Sequence, residues 1–302
     1  MQEEFYSNGK LLLSGEYAIL DGALGLAIPT KYGQSLVVKT SDAPLIRWKS
    51  LNPDGNVWFT TDFSINLHEI TNCTDADVAR TLQKLLREAK RQNPNFLSGD
   101  TGFEVESHLG FPRNWGLGSS STLINNIAQW ANVDAYKLLW NAFGGSGYDI
   151  ACAQHPSPIT YQLKNGHPIV KLVNFDPVFK DSLFFVHLNQ KQSSKTAIAA
   201  YRNQSFNTAK LVEEISAITQ KMLHAGSLEA FAGLIEKHEF LLSEILGIGP
   251  VKTQLFPDYP GTIKSLGAWG GDFVLVVDTT GFIDYFNKKG FYTIVRFSEM
   301  SL

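Results

Sequence analysis

The sequence predicts an α+β fold, and three observations support this prediction. Short β-prone segments dominate the first 65 residues, and two of them flank the turn sequence Asn52-Pro53-Asp54-Gly55, which indicates a hairpin. Apolar residues at helical spacing follow in several later segments. These helical segments alternate with further β-prone runs to the end of the chain. Strands and helices in this mixed order are typical of an α+β protein.

The elements follow from the local patterns in chain order. β-prone runs predict strands in residues 5–20 (broken by a turn at Asn8-Gly9), 24–28, 35–40, 45–51, 57–63, 103–107, 159–163, 168–172, 183–188, 273–277 and 291–297. Helical spacing predicts helices in residues 75–92 (capped by Thr74), 123–131, 136–143, 211–222, 228–242 and 283–288. A polar run over residues 189–196 separates the later strands from the later helices. We expect two domains, residues 1–165 and 166–302.

Composition narrows the classes of function. The 302 residues include 44% hydrophobic ones, enough for a substantial core. The net charge of −3 arises from 26 basic and 29 acidic residues that are mixed along the chain, so we expect no nucleic-acid partner. No apolar run has the length of a membrane span, and residues 1–6 lack a signal-type pattern, so we expect a cytoplasmic protein that is not bound to a membrane. The two cysteines are no disulfide framework, and Cys152 is predicted to be a small buried residue.

The most informative stretch is residues 112–122, Pro-Arg-Asn-Trp-Gly-Leu-Gly-Ser-Ser-Ser-Thr, which leads directly into the helix predicted at 123–131. Two glycines and several hydroxyls at a helix start place backbone N–H groups and the positive end of the helix dipole around one small volume, which suits a phosphate. Alternatively, Ser119 only caps the helix and the glycines form an ordinary turn. Taken alone, the loop is equally compatible with both interpretations.

Two further glycine motifs favour the first interpretation. Gly9-Lys10 is followed by Gly15-Glu16-Tyr17-Ala18 near the N-terminus, and Gly267-Ala268-Trp269-Gly270-Gly271 lies near the C-terminus. With the loop, these motifs resemble, in order and spacing, those of the GHMP kinases, the small-molecule kinases that include galactokinase, homoserine kinase, mevalonate kinase and phosphomevalonate kinase. One short glycine motif is weak evidence, whereas three in order are strong.

The resemblance implies a fold, cofactors and a set of site residues. The implied fold has an N-terminal domain like domain 2 of ribosomal protein S5 and a ferredoxin-like C-terminal domain, with ATP and Mg²⁺ as cofactors. It assigns ATP binding to Pro112, Trp115, Gly116, Leu117, Gly118, Ser119, Ser120 and Ser121. It assigns the Mg²⁺ ligand to the Ser120 hydroxyl, with Ser119 as the alternative. It assigns contacts with the substrate or within the third motif to Glu16, Tyr17, Gly147, Tyr148, Gly267, Ala268, Trp269, Gly270 and Gly271.

The two implied catalytic residues are Lys10 and Asp149. Lys10 would supply positive charge near the γ-phosphate, although most lysines are solvated surface residues. Asp149 would orient or deprotonate the acceptor and pair with Lys10, although an Asp after Gly147 often only caps a helix. Gly145-Ser146-Gly147-Tyr148-Asp149-Ile150-Ala151 resembles a segment of bacterial phosphomevalonate kinases. The implied substrate is therefore phosphomevalonate first and mevalonate second.

The remaining candidates keep structural alternatives. Glu16 is interpreted mainly as a structural residue that ties the first motif to the phosphate loop. Trp115 either flanks the adenine or packs in the protein, and Asp272 is interpreted only as the residue that terminates the third-motif turn. Lys191, Ser193, Ser194 and Lys195 form a polar loop that would suit an anionic substrate or simply be solvated. No histidine has zinc-ligand spacing.

Some departures from the family pattern keep other functions open. Asn8 stands where the family usually has Pro, Trp269 replaces a glycine, and residues 136–143 lack the Glu that mevalonate kinases use as a second Mg²⁺ ligand. The alternatives are a homoserine or sugar kinase, a diphosphomevalonate decarboxylase, and a non-catalytic nucleotide-binding homologue. A monomer or a homodimer is compatible with the sequence.

Overall fold

The computed structural model of the chain describes residues 1–190, 194–269 and 271–302, except for the side chains of Ser194 and Lys195. The strands are β1 (Gln2–Ser14), β2 (Gly25–Ser41), β3 (Leu45–Leu51), β4 (Val57–Ser64), β5 (Ile70–Thr71), β6 (Gly102–Leu109), β7 (Ile159–Lys164), β8 (His167–Leu172), β9 (Leu183–His187), β10 (Ile263–Ser265), β11 (Phe273–Val277) and β12 (Ile294–Arg296). The α-helices are α1 (Ala76–Gln92), α2 (Ser119–Ala131), α3 (Ala135–Ala142), α4 (Tyr148–Gln154), α5 (Ser194–Arg202), α6 (Thr208–Leu223), α7 (Leu228–Leu246), α8 (Val251–Leu255), α9 (Phe282–Lys288) and α10 (Phe297–Met300). The predicted α+β class is confirmed.

The chain divides into two compact units, each built from several segments. The first unit contains Met1–Gly9, Tyr32–Arg113 and Leu117–Gln154. The second contains Lys10–Lys31, Asn114–Gly116 and His155–Leu302. These bounds differ from a single division at residue 165, because residues 10–31 pair and pack with later segments. Gly25–Ala27 of β2, for example, lie antiparallel to β7.

In the first unit, the strands follow the order β5-β4-β3-β6-β2. β3 and β6 are parallel, and the other pairs are antiparallel. β6 shows why this sequence forms a half-buried strand, since Val105 and Ser107 are buried while Glu104 and Glu106 are exposed. The two glutamates pair with Arg47 and Lys49 of β3. The opposite face of the sheet packs against α1, α2 and α3 around a core that includes Trp48, Phe59, Phe63, Leu82, Leu86, Ile124, Ile127 and Leu138.

In the second unit, a four-stranded antiparallel sheet has the order β12-β9-β11-β10. Numbered within this sheet, the order is 4-1-3-2. With the helices that connect the first and second strands and the third and fourth strands, this arrangement is the expected ferredoxin-like one. α7 packs against β10 and α6. A hydrophobic core of this unit contains Phe184, Val186, Phe256, Val274, Val276 and Phe286.

Several predicted elements are confirmed. The hairpin β3–β4 forms across Asn52-Pro53-Asp54-Gly55, the helices α1 and α3 lie where helical spacing predicts them, and Cys152 is buried. Local patterns identify the hairpin and the helices because the turn residues and the apolar helical spacing lie within each element.

Other predictions were wrong in detail. The turn predicted at Asn8-Gly9 is absent, because β1 continues through both residues, and the strands predicted at 24–28 and 35–40 are one strand. Asp75 rather than Thr74 caps α1, since its carboxylate accepts the N–H groups of Asp77 and Val78. Part of the polar run at 189–196 begins α5, while residues 191–193 lie outside the described residues. No helix of the described residues is long and apolar enough to cross a membrane.

Candidate active site

The phosphate loop of the sequence analysis leads into an uncapped helix start. In the first unit, Gly118 is the N-cap of α2 with φ of 91°, so the cap has no side chain, and no acidic residue lies in the first turn of the helix. The Gly118 carbonyl accepts the Thr122 N–H at 2.9 Å and the Ser121 hydroxyl at 2.8 Å. The alternative in which Ser119 caps the helix was wrong, because Ser119 is already the first helical residue. Neither the N-cap nor the first turn of α2 therefore supplies a side-chain acceptor for the free N–H groups at this positive helix end.

Residues 114–116 of the same loop belong to the second unit, where Lys10 and Asp272 contact Gly116. The Lys10 ammonium donates to the Gly116 carbonyl at 2.7 Å. Gly116 has φ of 65°, and a Cβ at this position would lie 2.1 Å from Oδ2 of Asp272. Both facts require glycine here. Asp272, which the sequence identified only as a turn residue, therefore helps to define this part of the loop.

Trp115 packs within the second unit. Its ring meets the ring of Phe273 edge-on at 5.4 Å and lies 6.4 Å from that of His187. Nε2 of His187 is 3.0 Å from the Asn114 carbonyl. These contacts hold the start of the loop against β9 and β11. They favour the packing interpretation of Trp115, and its contact with adenine stays a prediction.

The first and third glycine motifs meet at Tyr17. Its hydroxyl accepts the backbone N–H of Trp269 at 2.9 Å, and its ring stacks on Tyr201 at 5.4 Å. Tyr17 has φ of 60°, a conformation that a bulky residue rarely adopts. The indole N–H of Trp269 donates to the Gly249 carbonyl at 3.1 Å. The tryptophan that replaces a family glycine is therefore buried and hydrogen bonded within this unit.

Glu16 belongs to a buried cluster of charged and titratable side chains. Its two carboxylate oxygens lie 2.5 Å from Nζ of Lys264 and 3.2 Å from Nε2 of His238. Lys264 is also 3.7 Å from Glu239, whose other oxygen accepts the Ser265 N–H at 3.1 Å. Nε2 of His238 accepts the Gly15 N–H at 3.1 Å. The expected partner of Glu16 was the phosphate loop, whereas its observed partners lie on α7 and β10.

Burial controls the protonation of this cluster. Desolvation raises the pKa of Glu16, which Lys264 opposes, and it raises the pKa of Glu239 to about 7. Desolvation and the nearby Lys264 ammonium lower the pKa of His238 well below its usual value, which fits a neutral ring that accepts from Gly15. Two carboxylates face one ammonium, so the folded protein favours a state in which one carboxyl group keeps its proton.

Comparisons with known proteins identify the fold. No protein-family model matches the sequence, and no curated protein matches it significantly. Solved structures match nearly the whole chain. A Streptococcus pneumoniae phosphomevalonate kinase in complex with phosphomevalonate and AMPPNP has a TM-score of 0.69 at 16% identity, over 97% of this chain and 99% of that one. The L. major mevalonate kinase in complex with R-mevalonate has a TM-score of 0.68 at 15% identity, over 97% and 94%. The Lactococcus lactis galactokinase in complex with galactose has a TM-score of 0.68 at 13% identity, over 100% and 93%.

The chain has the GHMP kinase fold. The resemblance that three short motifs indicated is confirmed at the level of the fold. Within this GHMP kinase fold, the second unit brings Lys10 to Gly116 and Tyr17 to Trp269, so the first motif contacts both the loop and the third motif. Gly267 has φ of 70°, and the Gly271 N–H donates to the Ala268 carbonyl at 3.2 Å, as in a tight turn. Gly270 lies outside the described residues.

The other predicted site residues of the GHMP kinase fold lie in the first unit. Pro112 is the first residue of the loop, Leu117 is fully buried, and Gly147 lies directly before α4 with φ of 91°. Tyr148 is the first residue of α4, and the carboxylate of Asp149 accepts the Ile150 N–H at 3.2 Å. The pairing of Lys10 with Asp149 stays a prediction. Among the described residues, no group of three or more His, Cys, Asp or Glu side chains is arranged to hold a metal ion.

The sequence analysis missed the partners of Glu16. His238 and Glu239 lie in α7, where Phe231, Ile235 and Leu242 are also buried. Polar residues at positions of the apolar helical period are a signal that was present in the sequence. Lys264 gave no such signal, because a lysine in a three-residue strand is usually exposed.

Proposed function

We propose that the protein is an ATP-dependent kinase that transfers the γ-phosphoryl group to a small anionic metabolite, phosphomevalonate first and mevalonate second. The observation that carries the proposal is the helix start at Gly118, which has neither a side-chain cap nor an acidic residue in its first turn and which lies in a chain with the GHMP kinase fold. Phosphoryl transfer asks a protein mainly for positioning and for positive charge around the phosphates. An uncapped helix N-terminus preceded by glycines offers both to a polyphosphate.

The residues fit ATP and Mg²⁺ in their chemistry. The backbone N–H groups of residues 116–120 would hold the phosphates of ATP, and the hydroxyl of Ser120, an exposed residue, would be a ligand of Mg²⁺, with Ser119 as the alternative. When bound, Mg²⁺ neutralises charge that develops on the phosphate oxygens. Trp115 and the third-motif residues Gly267, Ala268 and Trp269 keep the binding roles that the resemblance implies.

Lys10 and Asp149 would serve the acceptor side. The Lys10 ammonium, held by the Gly116 carbonyl, would stabilise charge on the transferred phosphoryl group. Asp149 would orient the acceptor or accept its proton. An alcohol must lose a proton during transfer, whereas a phosphate with a second pKa of about 6 is already mostly ionised at neutral pH. On a phosphate acceptor, Lys10 would therefore contribute more than Asp149.

The surroundings of Trp269 weaken one argument for a non-catalytic protein. Trp269 was expected to crowd the third motif, but its side chain is only 9% exposed and donates to Gly249 within its own unit. A buried, hydrogen-bonded indole is compatible with an active enzyme of altered pocket shape.

The first test is an ADP-release assay with mevalonate, phosphomevalonate, homoserine and several sugars, together with direct measurement of ATP binding. We expect turnover with one of the two mevalonate compounds. Intact ATP binding without turnover of any acceptor would contradict the kinase proposal and favour the non-catalytic homologue. Turnover of homoserine or a sugar alone would support the kinase activity but contradict the proposed substrate. Release of CO₂ from diphosphomevalonate would favour the decarboxylase.

The variant Lys10→Ala tests the role of the lysine. We expect turnover to fall by about 10²–10³-fold or more, because one charged stabilising group is lost, while ATP affinity stays largely intact. Lys31→Ala is the matched control, since Lys31 also donates to a backbone carbonyl of the second unit, that of Ser298 at 2.7 Å. Unchanged turnover in Lys10→Ala would show that the role given to Lys10 is wrong.

A further inference from the structure

A network of polar side chains is buried where α2 packs against β1 and β2 in the first unit. Ser7, Gln34, Thr122, Asn125 and Asn126 are each less than 5% exposed. The buried face of a helix usually carries apolar residues, and a buried polar group costs free energy unless it is hydrogen bonded. Buried polar residues on the helix that follows the predicted phosphate loop therefore require a physical reason.

The first branch of this network begins at the first turn of α2. The Thr122 hydroxyl lies 2.5 Å from the side-chain oxygen of Gln34 on β2 and 3.1 Å from the carbonyl of Gly118, the N-cap. The Gln34 amide nitrogen donates to the hydroxyl of Ser107 on β6 at 2.6 Å. The hydroxyl of Thr122 thus joins the end of the loop to two neighbouring strands.

The second branch joins α2 to β1, β2 and α4. Asn126 donates to the backbone carbonyl of Gln34 at 2.9 Å and accepts from the Ser7 hydroxyl at 2.6 Å. Asn125 donates to the Ser7 hydroxyl at 2.8 Å and accepts from the side chain of Gln154 at 3.0 Å. Gln154 is the last residue of α4, the helix that carries Asp149.

We propose that Thr122, Gln34, Asn125 and Asn126 are positioning residues that fix the rotation and axial position of α2, and that they couple it to α4. This inference rests on the proposed function, because it assigns the network the task of aiming the first-turn N–H groups of α2 at the phosphates. Apolar packing is non-directional and tolerates small slides of a helix. A hydrogen bond tolerates a change of only a few tenths of an ångström in its donor–acceptor distance. A shift of α2 would therefore leave several buried donors and acceptors unpaired.

Thr122 is the residue at which the proposal is most testable. Thr122→Val keeps the shape of the side chain and removes its hydroxyl, so that the Gln34 oxygen loses this donor. We expect the Kd for ATP to rise about tenfold, the effect of roughly one lost hydrogen bond. We also expect amide hydrogen exchange in residues 122–124, the first N–H groups with acceptors inside the helix, to become about tenfold faster. Thr122→Ser, which restores the hydroxyl, should recover most of both effects.

Ile127→Val is the matched control on the same helix. Ile127 is fully buried in the core of the first unit and carries no polar group, so the variant lowers stability without touching the network. We expect its Kd for ATP and its amide exchange in residues 122–124 to stay within about twofold of wild type. If Thr122→Val changes neither quantity, or if both variants change them in proportion to their loss of stability, the positioning role is refuted.

Two features of this experiment separate the network from the proposed function. Hydrogen exchange needs no nucleotide, so it tests the hold on α2 even if wild-type protein fails to bind ATP, a result that would overturn the proposed function alone. A double variant adds a test of the contact itself. Gln34→Met combined with Thr122→Val should be no worse than the more damaging single variant, whereas additive effects would show that the two side chains act independently.

Discussion

The buried cluster around Glu16 makes a specific prediction for Glu239→Gln. Burial raises the pKa of Glu239 from 4.5 to about 7. Each unit of pKa difference between folded and unfolded states corresponds to about 1.4 kcal/mol, so the wild-type protein should lose about 3 kcal/mol of unfolding free energy as the pH rises from below 4.5 through 7. The reason is that the unfolded state releases this proton at lower pH than the folded state does. Glutamine resembles the protonated acid and cannot ionise, so the variant should avoid the loss.

The measurement is chemical denaturation of both proteins between pH 4 and pH 8.5. Glu16 has a raised pKa as well, and His238, whose pKa is lowered, contributes stability that is lost as the pH falls below about 6.5. Lys264 faces all three groups and remains in both proteins. The informative quantity is therefore the difference in unfolding free energy between variant and wild type, in which these shared contributions largely cancel. We expect this difference to rise by about 3 kcal/mol with increasing pH.

Glu229→Gln is the control for this prediction, because it makes the same chemical change at an exposed position in the first turn of the same helix. The difference in unfolding free energy between Glu229→Gln and wild type should not rise by about 3 kcal/mol over this pH range. If the difference for Glu239→Gln is constant across the range, or falls with rising pH, the folded protein does not retain a proton on Glu239 and the reasoning fails.

Two other variants test contacts within the second unit. Lys264→Met should lower the unfolding free energy by about 3–5 kcal/mol in urea denaturation, because it leaves Glu16 and Glu239 buried without their cation, and adding Glu16→Gln should recover part of the loss. Wild-type stability in the single variant would show that the ion pair is not formed. Gly116→Ala should lower the same quantity by at least about 1–2 kcal/mol, since the new Cβ meets Asp272 and the φ is positive. Asp272→Gly in the same chain should relieve the collision but not the strain at residue 116. Because Asp272 itself has φ of 51°, the double variant is compared with Asp272→Gly alone, and equal stability of these two would contradict the role of the dihedral angle at residue 116.

Elements with a strong local signal could be predicted from the sequence. The hairpin at Asn52-Pro53-Asp54-Gly55 carries its own turn residues, and α1 carries a regular apolar period. The loop that ends at Gly118 was identified as a helix start by its glycines and hydroxyls. Each of these features depends on residues that are close in the chain, so the pattern alone contains the information. The order of the three glycine motifs also predicted the GHMP kinase fold, which the solved structures confirm.

Only the tertiary structure decided which distant side chains meet. Glu16 and Lys264 are 248 positions apart, and nothing in the short strand β10 indicates that its lysine is buried. Thr122 and Gln34 are 88 positions apart, and each would be equally acceptable on a surface. A side chain specifies what kind of partner it can accept, whereas the fold determines which partner is within reach. The sequence therefore determined the local elements and the loop, and the packing of the chain decided what holds the loop and its neighbouring motifs in place.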